Sequence, residues 1–358
     1  MTPTSRRIVV AVDSSLNSRL ALEHATRRVG ANGQLIVAHV VSSPPDTVAQ
    51  LAAIIDERRI LADQVVNQLV GAYAPGAEPV VLEGSAAARI AELAREREAD
   101  EIVVGSRGLG RFSAALGSVA HALLQHADHP VVVVPAAAAD HPREGRAHGR
   151  CTVVVGYDGS EPARSALSYA ARRSCQGGRI VAVHAFQPVP DWLGSPNYQR
   201  ALDAFQQHGR ELLESLEAGH GLDADLETTL LEGPPARAIV AAADARDADE
   251  IVVGSRGFGP VRGVLGSVSH AILHETDRVV VVIPADAVAG GSARLSRGDL
   301  AGCAREHVPD CGRTGSARRG ERQDPQASRA KPRANPHRHR GPLARASASS
   351  ATAFVAVD

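Results

Sequence analysis

A stretch of twelve residues, ADEIVVGSRGLG at Ala99–Gly110, returns with one change as ADEIVVGSRGFG at Ala248–Gly259. The echo extends in both directions. IVVAVD at Ile8–Asp13 matches VVVGYD at Val153–Asp158, and LGSVAH at Leu116–His121 matches LGSVSH at Leu265–His270. VVVVP at Val131–Pro135 likewise matches VVVIP at Val280–Pro284. The offset is 145 between Asp13 and Asp158 and 149 between Gly105 and Gly254, so the second copy carries four extra residues in its middle. A period this long means two copies of a whole domain, not a solenoid of small units.

Within each copy, short apolar runs alternate with longer helical periodicities. Ile8–Val12, Leu35–Val41, Pro79–Leu82, Glu101–Val104 and Val131–Val134 read as strands, continuously apolar as in a parallel sheet covered on both faces. Leu16–Val29, Thr47–Gly71, Ala86–Glu98 and Ser118–Ala127 read as the intervening helices. This alternation predicts an α/β fold of two tandem, doubly wound, parallel five-stranded sheets. Residues 1–139 and 151–287 form the two domains, 140–150 a linker, and 288–358 a tail.

The formal net charge of -1 hides a division of the chain. The tail holds 13 Lys+Arg and 6 Asp+Glu, a net of +7, while residues 1–287 carry a net of −8. Rich in Arg, Ala, Ser, Gly and Pro and without apolar periodicity, the tail is expected to be disordered. Its charge gives weak, non-specific affinity for nucleic acid. The one lysine is Lys331, so the domains cannot hold a lysine-containing phosphate loop or a Schiff-base lysine. Four cysteines are too scattered for a disulfide framework, and Cys303-x3-His307-x3-Cys311 is not a usual zinc spacing. No metal site is expected. The apolar run after Arg7 ends at Asp13, too short for a signal peptide or membrane span, so the chain is expected to be cytoplasmic, with no membrane partner.

In a parallel sheet of this kind, ligands bind beyond the carboxyl ends of the strands. Asp13 and Asp158 end the first strands. A carboxylate there can accept from an amino group such as adenine's, or help hold a divalent cation; equally, it can cap the next helix. After the fourth strand come Gly105-Ser106-Arg107-Gly108, a gap of eight, and Gly117-Ser118-Val119 opening a helix. Gly254-Ser255-Arg256-Gly257, another eight, and Gly266-Ser267-Val268 repeat the pattern. Glycines and a helix N-terminus suit a polyphosphate, with Ser106, Ser118 and Ser255 as hydroxyl donors and Arg107 and Arg256 as cations. A dinucleotide fingerprint does not fit, because Ser113 stands where the third glycine belongs and the loop does not follow the first strand. His39, His121, His184 and His270 recur at matching places, but no nucleophile–base order is legible, and no catalytic residue is assigned.

These residues resemble the universal stress protein family, in its tandem, ATP-binding form. That family's pattern is G-x2-G-x9-G-[ST] after the fourth strand with an aspartate ending the first. Both copies here keep that order with a spacer of eight, over residues 6–136 and 151–285. The resemblance implies a Rossmann-like sheet of order 3-2-1-4-5 and ATP, with Mg2+, as the ligand. It places Asp13, Val40 and Val104 at the adenosine, and Gly105, Gly108, Gly117, Ser118 and Val119 at the ribose and phosphates. The matching positions of the second copy are Asp158, Ala185, Val253, Gly254, Gly257, Gly266, Ser267 and Val268. Ala185 for Val40 is a smaller contact for the base.

The function implied is regulatory: ATP occupancy alters conformation or the surface offered to an unknown protein partner during stress. A slow ATPase or nucleotidyl-transferring enzyme using the same site is the alternative. In the 3-2-1-4-5 order the fifth strand lies at an edge, and so apolar an edge needs a cover. Val131–Val134 and Val279–Ile283 are therefore expected to pair with each other, as single-domain relatives pair between chains. A homodimer of the whole chain is the further partner expected.

Overall fold

The computed structural model describes residues 6–42, 52–107, 116–139, 151–173, 178–187, 198–219, 225–257 and 265–285. The linker 140–150, the tail 288–358 with Cys303 and Cys311, and Gly108 lie outside them.

The first half runs β1 (Arg7–Ala11), α1 (Leu16–Val29), β2 (Gln34–Val41), α2 (Ala52–Tyr73), β3 (Glu78–Glu83), α3 (Ala86–Glu96), β4 (Glu101–Gly105), α4 (Ser118–His126) and β5 (Val131–Val134). A short 3-10 turn, Ala136–Ala139, follows. The second half repeats the order as β6 (Thr152–Gly156), α5 (Glu161–Arg173), β7 (Arg179–Phe186), α6 (Tyr198–Gly219), β8 (Asp225–Glu232), α7 (Pro235–Ala245), β9 (Glu250–Gly254), α8 (Ser267–Glu275) and β10 (Val279–Ile283). Predicted boundaries hold to within a few residues. The second helix is described over Ala52–Tyr73, and Thr47, its expected start, lies outside the described residues.

Each half has the expected strand order, but the sheets are not separate. They join into one ten-stranded sheet, β3-β2-β1-β4-β5-β10-β9-β6-β7-β8. The seam is antiparallel, with Val133 opposite Val280, Val132 opposite Val281 and Val131 opposite Val282. Every residue of β5 and β10 is buried, as the sequence led one to expect of an apolar fifth strand. The true edges, β3 and β8, are half-exposed and carry Glu78, Glu83, Asp225, Glu227 and Glu232, charges that discourage further strand addition.

Alternation along the strands builds two cores that both run through the seam. Val9, Ile36, Ile102, Val133, Val280 and Ile251 point to one face with residues of α3, α4, α7 and α8. Val10, Val37, Val103, Val132, Val281 and Val252 point to the other with α1 and α5. Because the halves meet antiparallel, the carboxyl ends of their strands open at opposite ends of the sheet.

Candidate functional site

The repeated ADEIVVGSRG segment can now be read residue by residue. Ala99 and Ala248 are buried at the turn into the fourth strand of each half. Asp100 accepts from the Arg7 backbone N–H at 2.8 Å, and Asp249 from that of Thr152 at 2.7 Å, so each clamps the start of the neighbouring first strand. Glu101 and Glu250 turn into the seam. Beyond the valines, Gly105 and Gly254 end the strands.

Their lack of a side chain serves packing. A Cβ on Gly105 would lie 2.8 Å from the Asn17 carbonyl oxygen, and one on Gly254 would lie 2.7 Å from Pro162 Cβ. Each glycine thus lets the first turn of α1 or α5 close onto the strand end. That turn is pinned by the aspartates singled out from sequence. Asp13 Oδ1 accepts from Ser15 N–H at 2.9 Å, and Asp158 Oδ1 from Ser160 N–H at 2.9 Å. The helix cap itself is the serine: Ser15 Oγ accepts from Ser18 N–H at 3.2 Å and Ser160 Oγ from Ala163 N–H at 3.3 Å. Neither aspartate is the cap.

In the second half these elements enclose a cavity of about 470 Å3 beyond the strand ends. Asp158, Ala185, Val253, Gly254, Arg256, Gly257, Gly266, Ser267 and Val268 all line it. So nine of the ten positions assigned to this repeat from sequence come together. The tenth, Ser255, is buried, is not among the lining residues, and its hydroxyl has no hydrogen-bond partner among the described residues. A Cβ on Gly257 would stand 2.5 Å from Asp158 Oδ2, so a side chain here would displace the carboxylate that the loop crosses.

At the other wall, α8 begins at Gly266. The Gly266 N–H is spent on the Ser255 carbonyl at 2.7 Å, and no side chain caps the helix. The next N–H groups, those of Ser267, Val268 and Ser269, lack intrahelical partners by position, and all three residues line the same cavity. Ser269 Oγ instead donates within the turn, to the Ser255 or Gly266 carbonyl at 3.2 and 3.0 Å. Apolar walls come from Val183, Ile239 and Leu265. His184 also lines the cavity, and its Nδ1–H donates to the Tyr157 carbonyl at 2.8 Å. Ile239 and Leu265 escaped the sequence reading because they belong to a helix and to the end of the spacer, where no motif residue marks them.

The first half repeats the construction. Gly117 N–H donates to the Ser106 carbonyl at 2.8 Å, α4 starts with no side-chain cap, and His39 Nδ1–H donates to the Val12 carbonyl at 2.8 Å. Val40 and Val119 are half-buried against the core, Val104 and Ser106 are buried, and Arg107 is exposed.

A second polar cluster lies on the seam, where the repeated Glu101 and Glu250 meet residues outside any motif. Arg28, at the end of α1, reaches Glu101 Oε1 through Nε at 2.6 Å and Glu250 Oε2 through a terminal nitrogen at 2.6 Å. Its other terminal nitrogen donates to the Tyr169 hydroxyl, which donates to Glu101 Oε2. Burial by itself would lower the Arg28 pKa, but Glu101, Glu250 and Tyr169 outweigh it and hold it well above the ordinary arginine value. Burial, reinforced by Glu101 and Glu250 against the opposing Arg28, pushes the Tyr169 phenol well above its ordinary value.

Comparison with known proteins follows the duplication. The model of the family described as the universal stress protein family matches residues 4–135 and again 150–284. A universal stress protein of Mycobacterium tuberculosis is 30% identical over 330 residues, covering 79% of this chain and 97% of its own. One from Thermus aquaticus is 37% identical over 134 residues, 37% of this chain and 97% of its own length, the size of a single repeat. The crystal structure of a universal stress protein from Archaeoglobus fulgidus aligns over 79% of this chain and 99% of its own, with TM-score 0.54 and 24% identity, a likeness of fold.

Proposed function

The chain belongs to the universal stress protein family, and from that premise we propose that its repeats bind ATP, with Mg2+, and that occupancy regulates conformation or the surface offered to a protein partner under stress. One observation carries the reading: a helix N-terminus without a side-chain cap, opening into a cavity of nucleotide size. Such an end has unpaired N–H donors and the positive pole of the helix dipole, and it favours a phosphate. Arg256, in the same wall, adds a cation where the domain has no lysine. Across the cavity, Val183, Ala185 and Val253 offer an apolar slot for a base, and Asp158 offers an acceptor to an exocyclic amine. By pseudo-symmetry Asp13, Val40, Val104, Gly117, Ser118 and Val119 serve the first repeat.

His184 favours a second reading, slow ATP hydrolysis or nucleotidyl transfer in the same cavity. With Nδ1–H committed to Tyr157, its Nε2 is the nitrogen left to act as a base. One experiment separates the two. Full-length protein is purified, its bound nucleotide quantified, and excess ATP added while product is followed. ATP that stays bound and intact supports regulation, and multiple turnover supports the enzyme. Protein that carries no nucleotide and takes up no ATP overturns both.

A further inference from the structure

Where α4 and α8 approach each other over the seam, three imidazoles gather. His121 and His270, equivalent in the two repeats, pack edge to face with ring centres 6.4 Å apart and planes at 81°. His274, one turn further along α8, lies 4.7 Å from His270. Resting on the phosphate reading above, we propose that these histidines link nucleotide binding to pH. Phosphate on the N-terminus of α4 or α8 draws a proton onto the imidazole one turn inside that helix, and the charge so created is felt by the other repeat across the seam.

Each of the paired histidines closes the first turn of its helix. His121 N–H donates to the Gly117 carbonyl at 2.8 Å, and His270 N–H to the Gly266 carbonyl at 2.9 Å. At a rise of about 1.5 Å per residue, the histidine lies about 6 Å along the axis from the helix end, and helical side chains lean back toward that end. Phosphate bound there offsets the positive pole of the dipole and brings negative charge near the ring. Both effects favour imidazolium over imidazole. A unit charge about 10 Å away in water changes a protonation equilibrium about twofold, so two phosphate charges give about fourfold. Two imidazolium charges 6.4 Å apart disfavour each other about threefold. A proton taken up in one repeat therefore bears on the other.

The surroundings leave this linkage to the imidazoles. His270 and His274 are exposed and His121 half-exposed, so solvent protons reach them. Strands β5 and β10, on which the two helices lie, are valines and one isoleucine. On α3, Arg89 is paired with Glu92, and Arg95 with Asp128, which also holds His129; Glu96 is the remaining acid of that helix. On α7, Arg237 is paired with Glu275 of α8, and Asp244 with Arg278. The α4 helix also carries His126, whose Nδ1–H donates to the Ala122 carbonyl, and neither α4 nor α8 has an arginine or lysine. Arg107 and Arg256, before the two helices, keep their charge throughout the neutral range, whereas imidazole is the side chain that ordinarily changes charge within it. The contact is invisible in the sequence because His121 and His270 are 149 residues apart.

The test is calorimetric titration of untagged full-length protein with ATP at about pH 6.5, in two buffers of different ionisation enthalpy, which gives the protons taken up per ATP bound. Wild type should take up more than a variant combining His121→Gln, His270→Gln and His274→Gln. Proton exchange by ATP itself and by histidines of the tail is common to both proteins, so the difference isolates the seam. Between about pH 7.5 and pH 5.5 the affinity of wild type for ATP should rise about fourfold relative to that variant. Nuclear magnetic resonance of the imidazoles in wild type reads the same event without a substitution: ATP should move the His121 and His270 midpoints upward. His270→Gln alone should move the His121 midpoint upward about threefold in proton affinity, by removing the like charge across the seam. ATP that binds with equal proton uptake in wild type and variant, or that leaves the wild-type midpoints where they were, overturns this linkage and leaves the phosphate reading standing. A wild type that binds no ATP overturns both.

Discussion

The two repeats share a topology and a strand-end motif, yet they are not interchangeable where they meet. Pseudo-symmetry relates Arg28 to Arg173, Glu101 to Glu250 and Tyr169 to His24. Only one arginine takes the centre of the seam. Arg28 spans both glutamates at 2.6 Å, while Arg173 stays 3.9 Å from Glu250. Tyr169, which both accepts from Arg28 and donates to Glu101, exists in the second copy alone. The sheet is therefore made by what the copies share, and the seam cluster draws on one residue they do not. A pair of first copies would lack the phenol, whereas a pair of second copies would keep an arginine, Arg173, at the position of Arg28.

The comparison breaks most severely at the strands. Val132→Lys with Val281→Lys puts two unpaired charges at positions with no solvent exposure. Each costs several kcal/mol, so the expected result is failure to fold or self-association, read by size-exclusion chromatography and circular dichroism. Next comes Arg28→Met, which leaves buried Glu101 without its cation and takes from Glu250 its partner at 2.6 Å. A loss of about 3–5 kcal/mol is expected in denaturant unfolding. Arg173→Met, at the pseudo-equivalent position, should cost clearly less, and equal losses would remove the asymmetry. Tyr169→Phe should cost about 1–3 kcal/mol by leaving Arg28 and Glu101 short of a partner. It also has a pH signature. A phenol whose folded pKa is raised contributes stability that is intact below about pH 10 and lost as pH rises beyond it. Wild type should then lose more stability than Tyr169→Phe above pH 10, in unfolding curves taken across that range.

The cavity offers the mildest contrast. Ala185 and Gly156 line it in the second copy where Val40 and Ala11 stand in the first. Ala185→Val should tighten the second site's hold on ATP severalfold. A weaker hold would show that the smaller residue is there to make room.

Much of this was open to sequence reasoning because it is periodic or repeated. Continuous β-branched runs identified the strands, and the apolar fifth strand, hard to leave at an edge, pointed to the seam. The glycine motif located six of the residues that line the second cavity, the end of the first strand gave Asp158, and the family resemblance gave Ala185 and Val253. The seam cluster was not legible, since Arg28 and Glu250 are 222 residues apart and the repeat that contains Glu101 and Glu250 gives no sign of the partner they share. Local hydrogen bonding was only half readable: Asp13-Ser14-Ser15 announces a helix start, but both aspartate and serine can cap, and only geometry gives the cap to Ser15. Likewise Gly105 and Gly254 were read only as room for a phosphate, whereas geometry shows that they also make room for helix turns.

ATP phosphates are proposed to sit on the open N-termini of α4 and α8. A Cβ on Gly266 would already meet the Ser255 carbonyl at 3.1 Å and Arg256 Cα at 3.3 Å, so a valine there must push the loop away from the helix end. Each charge-assisted hydrogen bond lost is worth about 1.5–3 kcal/mol, or at least about tenfold in affinity. Calorimetric titration of ATP into wild type, Gly117→Val, Gly266→Val and the double variant gives the direct measurement. Each single variant should lose its own repeat's site, and the double variant should bind ATP at least about tenfold more weakly than wild type. An unchanged dissociation constant in a double variant that retains the wild-type circular dichroism would contradict the account.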